Sequence, residues 1–271
     1  MPINDAGLRI QSDGQGTPFV WGHGLMSSIE VEDALGWFGW DEKPDSVRLI
    51  RYDARGHGDS GAARGTDNYH WRHLGADMLA VADAMNSPRF IAGGMSMGCA
   101  SAIHAAAQAP ERIKGLVLAM PPMIWENRSA QREMYQRIAR RGVDADGRAM
   151  AKLMSRDLAR ALPQWLLDAS PAVAASLAIG VRALDRRIIP DLFHGAANSD
   201  LPPRASLHAL AQVPTLILAW TGDSTHPLQS AQELHRLLPN SALHVAASHE
   251  EFLQFPDHIL AFAASLAMPD L

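Results

Sequence analysis

A serine flanked by glycines, Gly94-Met95-Ser96-Met97-Gly98, lies between an apolar run at 90–92 and an alanine-rich stretch that stops before Pro110. The pattern reads as strand, sharp turn and helix, with Ser96 at the apex. There a hydroxyl stands clear of the backbone at the positive end of a helix, and the glycines leave room that a Cβ would fill. Such a hydroxyl becomes a nucleophile when a base takes its proton. Histidine is the usual base, and a carboxylate fixes its tautomer. The chain order Ser, Asp, His is met by Ser96, Asp223 and His249, each just after an apolar run at 89–93, 215–220 or 242–246.

The chain holds twelve histidines. His249 is the one in a loop directly after the last apolar run. His244 falls inside that run, and His235 and His258 fall on helical stretches. His226, followed by Pro227, reads as part of the turn that Asp223 begins. His70 and His73 are one helical turn apart but have no further ligands beside them, so no metal is expected. Glu126 rivals Asp223 as the acid, and Asp223 also reads as a turn aspartate bonded to its own backbone. Acyl transfer needs donors for an oxyanion. The backbone N–H of Met97, after the nucleophile, and that of Leu25, in the Gly22-His23-Gly24 loop, are the candidates. His23 is expected to brace that loop.

These groups need a frame. Apolar runs at 17–21, 47–52, 89–93, 115–120, 215–220 and 242–246 alternate with helical stretches at 67–85, 228–238 and 252–266. That alternation predicts a parallel sheet covered on both faces, with the polar motifs at its carboxyl edge. Residues 122–205 break the rhythm and read as three or four helices, around 125–141, 146–162 and 170–187. The spacing predicts a core of residues 1–121 and 206–271, with a helical cap inserted at 122–205.

With 271 residues, 47% of them hydrophobic, the chain is long enough for one sizeable α/β core. A net charge of -5 without a long basic run argues against nucleic acid as a partner. Cys99 is the single cysteine, so no disulfide framework exists, and its place after the serine turn suggests a buried core residue. No apolar segment is long enough to span a membrane, and the polar start lacks a secretory pattern, so a cytoplasmic location is expected.

Together, HGLM at 23–26, RYDARGHGDS at 51–60, GMSMG at 94–98, TGDSTHP at 221–227 and SHEEF at 248–252 resemble the α/β-hydrolase superfamily. The DARGHGDS loop is similar to its small esterase, enol-lactonase and cofactor-free haloperoxidase branch. The resemblance implies an α/β fold with a mostly parallel eight-stranded sheet, flanking helices and a helical lid. It implies Ser96, Asp223 and His249 as a triad, and a structural role for Asp53 to Ser60. The chain departs from many relatives in lacking a second acid after Asp223 and in having Ser248 where they carry glycine. Met26, Met123, Trp125, Met134, Met154 and Trp165 are the candidate pocket walls, suited to apolar groups. The arginines of 126–160 form either a solvated face or a seat for a substrate carboxylate. The expected function is hydrolysis of a small to medium carboxylic ester or lactone through an acyl-enzyme, without a cofactor. Acyl transfer, perhydrolysis or carbon–carbon hydrolysis on the same groups, or ligand binding without turnover, are the alternatives.

Overall fold

The computed structural model describes residues 2–3, 6–142, 161–170 and 173–267. Its main sheet has seven strands: β3 (Ile10–Asp13), β4 (Thr17–Gly22), β5 (Val47–Tyr52), β6 (Phe90–Met95), β7 (Ile113–Ala119), β8 (Thr215–Trp220) and β9 (Ser241–Ala246). The spatial order is β3-β5-β4-β6-β7-β8-β9. Only β3 runs antiparallel, against β5. The expected eighth strand is absent from this sheet among the described residues. The two N-terminal strands, β1 (Pro2–Ile3) and β2 (Ala6–Gly7), are two residues each and pair with one another instead.

The strands are apolar on both faces because both faces are covered. Val20, Ile50, Ala92, Leu118 and Ile217 pack toward the helices Trp71–Ala84, Met97–Gln108 and Leu228–Leu237. Their neighbours Phe19, Leu49, Ile91, Val117 and Leu218 pack toward Trp37, Phe38 and the helix Phe255–Ser265. The serine-bearing helix comes close to the sheet because Ala100, Ala102, Ala105 and Ala106 are fully buried on its thin face.

Between residues 122 and 205 the described residues contain no strand. The helices there are Arg128–Gly142, Gln164–Ala169, Val173–Ala183 and Ile189–Asn198. Most of the helix expected at 146–162, including Met154, lies outside the described residues.

One buried acid sits beside the β4 edge. Glu32, in the helix Ile29–Leu35, is 2% exposed, and the Trp21 indole N–H donates to both of its oxygens at 2.9 and 3.1 Å. Burial pushes its carboxyl up to about 8, a rise that Trp21 and the Arg51 charge only partly offset. The folded chain therefore holds this proton more tightly than the unfolded chain, and stability falls as pH rises from about 4.5 to about 8. Glu32→Gln, which keeps an acceptor for Trp21, should match wild type near pH 4.5 and exceed it by roughly 2 to 4 kcal/mol at pH 8. Urea unfolding of both proteins across that range checks this, and parallel pH profiles would contradict it.

Candidate active site

Ser96 directly follows β6 and caps the helix Met97–Gln108 with φ 54° and ψ -110°, a conformation that costs a non-glycine residue energy. The surroundings enforce it. The Ser96 N–H donates to the Ala119 carbonyl of β7 at 3.0 Å. The backbone of Gly22 passes so close that a Cβ on Gly98 would sit 1.9 Å from its carbonyl oxygen. The Cys99 thiol is buried here, with its sulfur 3.0 Å from both the Gly94 and the Ala119 carbonyl oxygens, either of which can accept its one S–H. Burial pushes this thiol up, so it is a core group and not a thiolate.

The imidazole that meets the serine is His226. Ser96 Oγ donates to His226 Nε2 at 2.8 Å, and His226 Nδ1–H donates to Asp223 Oδ2 at 2.8 Å. Both partners come from the turn after β8. Asp223 Oδ1 accepts the backbone N–H of Thr225 (2.6 Å) and of His226 (3.0 Å), and the Thr225 hydroxyl (2.7 Å). Oδ2 also accepts the Trp220 indole N–H at 3.0 Å. Burial alone would raise this carboxyl, but the His226 ring and these donors outweigh it and hold the group at about 2. Asp223 is thus both the turn aspartate and the partner of a ring.

The expected contact between Ser96 and His249 is not formed. Ser248 Oγ accepts the Glu251 N–H at 3.2 Å, and the Glu251 carboxylate accepts the Ala247 N–H at 2.6 Å. This Ser-x-x-Glu arrangement starts a helix at His249–Phe252. His249 packs on Phe252, which packs on Trp220. The His249 ring lines a different cavity of about 230 Å³, with Trp37, Ser170, Ser176 and Phe252. Glu126, the rival acid, is exposed and clamps Arg204 through two hydrogen bonds. The missed signal is the Asp-x-x-His spacing: a turn that bonds one carboxylate oxygen to the N–H groups two and three residues on brings the third residue's ring to the other oxygen.

The loop after β4 faces this group. His23 is buried, donates from Nδ1 to the Gly24 carbonyl at 2.7 Å and accepts the Ala54 N–H on Nε2 at 2.9 Å. Burial lowers its pKa and keeps it neutral, so it braces the loop. Asp53 accepts the Ile29 and Asp59 N–H groups and ties the loop to 53–60. Among the described residues, neither the Leu25 nor the Met97 N–H donates to a backbone acceptor. Met97 opens the helix, where the first N–H groups have no partner within it.

Leu25, Ser96 and His226 line a cavity of about 80 Å³. Met26 and Met134 are in its walls as expected, joined by Trp37, Met95, Met120, Gln131, Tyr135, Leu162, Leu177, Trp220 and Thr225. Met123, Trp125 and Trp165 are not. The Met123 carbonyl accepts from Arg128, Trp125 stacks under Arg204, and the Trp165 indole donates to the Thr221 carbonyl. No lysine or arginine is among the described lining residues. Arg128 is buried over the Trp71 ring and donates to the Met123 and Ala196 carbonyls and to Gln131. Among the described residues no cluster of three or more metal-ligating side chains occurs, and no helix is long and apolar enough to cross a membrane.

The chain is 27% identical over 282 residues to the pimeloyl-(acyl-carrier protein) methyl ester esterase of Nitrosomonas europaea, across 94% of this chain and 98% of that protein. The crystal structure of a hydrolase from Pseudomonas aeruginosa is similar with a TM-score of 0.79 and 25% identity, over 98% of this chain and 96% of that one. The enol-lactonase of Burkholderia xenovorans has a TM-score of 0.77 and 22% identity, over 98% of each chain. A family model described as the alpha/beta hydrolase fold matches residues 17–258, and the chain belongs to that family.

Proposed function

We propose that this chain hydrolyses a carboxylic ester or lactone through an acyl-enzyme on Ser96, with His226 as the base. The observation that carries this is the line of two 2.8 Å hydrogen bonds from Ser96 Oγ through His226 to Asp223. His226 Nε2 takes the hydroxyl proton as Oγ attacks the acyl carbon. The ionised Asp223 fixes the Nδ1–H tautomer and stabilises the imidazolium. The Leu25 and Met97 N–H groups hold the oxyanion. His226 then returns its proton to the leaving alkoxide, and a water repeats the sequence to release the acid.

The segment 122–205 acts as a cap on a core of 1–121 and 206–271. It contributes Gln131, Met134, Tyr135, Leu162 and Leu177 to the cavity.

Labelling with a fluorophosphonate, read by intact mass, tests the nucleophile. Wild type should gain one adduct and Ser96→Ala none. His226→Ala should lose at least about 10³-fold in kcat/KM, as expected for a triad base, whereas His249→Ala should stay within a few-fold of wild type. The reverse order would assign the base to His249. If wild type neither labels nor turns over any ester or lactone, the chain is a binding protein.

The cap also touches the oxyanion loop. A Cβ on Gly180 would lie 1.9 Å from the Met26 carbonyl oxygen, one residue past Leu25. Gly180→Ala must displace the helix Val173–Ala183 or the loop, and a donor moved by about 1 Å costs up to roughly 100-fold in rate. A 10- to 100-fold fall in kcat is expected, measured beside a thermal melt. Unchanged kcat in a folded variant would contradict that placement.

A further inference from the structure

Tyr135, whose phenol the chemistry above does not use, is among the residues lining the cavity beside Ser96. Tyr135, in the helix Arg128–Gly142, is 7% exposed and packs edge-on against Phe193. It shares that lining with Ser96 and His226, and its hydroxyl lies within electrostatic reach of the Asp223 charge. Burial pushes its hydroxyl up to about 12, so it remains a donor at any working pH. Among the described residues this hydroxyl has no hydrogen-bond partner. The Trp37 indole N–H also has no hydrogen-bond partner among the described residues, but Trp37 lines the His249 cavity as well, whereas the remaining polar side chains in the wall are occupied or sealed. Gln131 accepts from Arg128 and donates to the Thr225 carbonyl, and the Thr225 hydroxyl donates to Asp223. Ser27 Oγ also lacks a partner but is fully enclosed, whereas Tyr135 Oη is not among the sealed atoms.

The hydroxyl is open to water in the cavity, so what a substrate gains or loses there depends on whether it replaces that water's hydrogen bond. A substrate that displaces water from the hydroxyl without replacing its hydrogen bond binds less well. We infer that the unpartnered Tyr135 hydroxyl in the apolar cavity beside Ser96 reads a second neutral oxygen on the substrate, so that esters or lactones carrying an ether, carbonyl or hydroxyl oxygen besides the scissile group are preferred. This rests on the hydrolase reading above. Selection of this kind is stronger than selection by size, because the wrong substrate leaves the donor unsatisfied.

The test compares isosteric pairs in which one CH₂ becomes oxygen. Methyl 3-methoxypropanoate against methyl pentanoate probes the acyl side. 2-Methoxyethyl acetate against butyl acetate probes the alcohol side. For each pair the kcat/KM ratio is measured in wild type and Tyr135→Phe, so intrinsic reactivity cancels. The expected result is a ratio at least about 5-fold lower in the variant for one pair, which also says which side the phenol reads. Ratios that agree within 2-fold in both pairs would overturn the inference. The melting temperature supplies a second readout: Tyr135→Phe should hold or gain stability, and a loss of several degrees would reveal a structural partner and overturn it. Turnover that survives Ser96→Ala would instead remove the hydrolase reading itself, independently of the ratios.

Discussion

The buried Asp223 carboxylate is the constraint on which the site depends. A charge there survives only because donors surround it: two backbone N–H groups, a hydroxyl, an indole and an imidazole. One oxygen builds the turn and the other orients the His226 ring. Acid and ring are three residues apart, so local backbone geometry fixes their separation. The serine, 130 residues away, must be delivered by the sheet. β6 and β8 both flank β7, and their parallel register brings both carboxyl ends to the same edge.

The opposite wall rests on close backbone approach. The strained Ser96 conformation persists because Gly98 lets the Gly22 strand end pass against the elbow, and the Ala119 carbonyl holds the Ser96 N–H. The loop from Gly22 to Ser28 is held at three points. His23 bonds both to the loop and to Ala54, Asp53 takes the Ile29 N–H, and Gly180 seats a helix on the Met26 carbonyl. Met26 itself has φ 63°, a left-handed backbone that these contacts maintain. Local strain is thus held by long-range packing, as preorganised donors require.

Much of this was legible in the residues. Continuous apolar runs marked six strands of the main sheet, and glycines around Ser96 marked the elbow, because these patterns answer to local rules of burial and sterics. The ribbon Pro2–Ile3 with Ala6–Gly7 was not legible, being too short to carry a period. The partner of Ser96 differs from the expected one for a physical reason. Position after the last strand favoured His249, yet Ser248 and Glu251 next to it form a helix start that turns the ring toward a separate cavity. His226 reads as a turn residue in the sequence, and being in the turn is what places its ring. The pocket walls depend on how helices of 122–205 pack, which no local pattern encodes. Met134 reached the cavity, and Trp125 and Trp165 found other partners.

The most direct measurement is a crystal structure of the protein with a phosphonate ester bonded to Ser96 Oγ. His226 Nε2 is predicted within hydrogen-bond distance of the phosphonate, with Nδ1 on Asp223 and the P–O⁻ facing the Leu25 and Met97 N–H groups. A phosphonate contacted by His249, with His226 turned away from Asp223, would contradict the central claim.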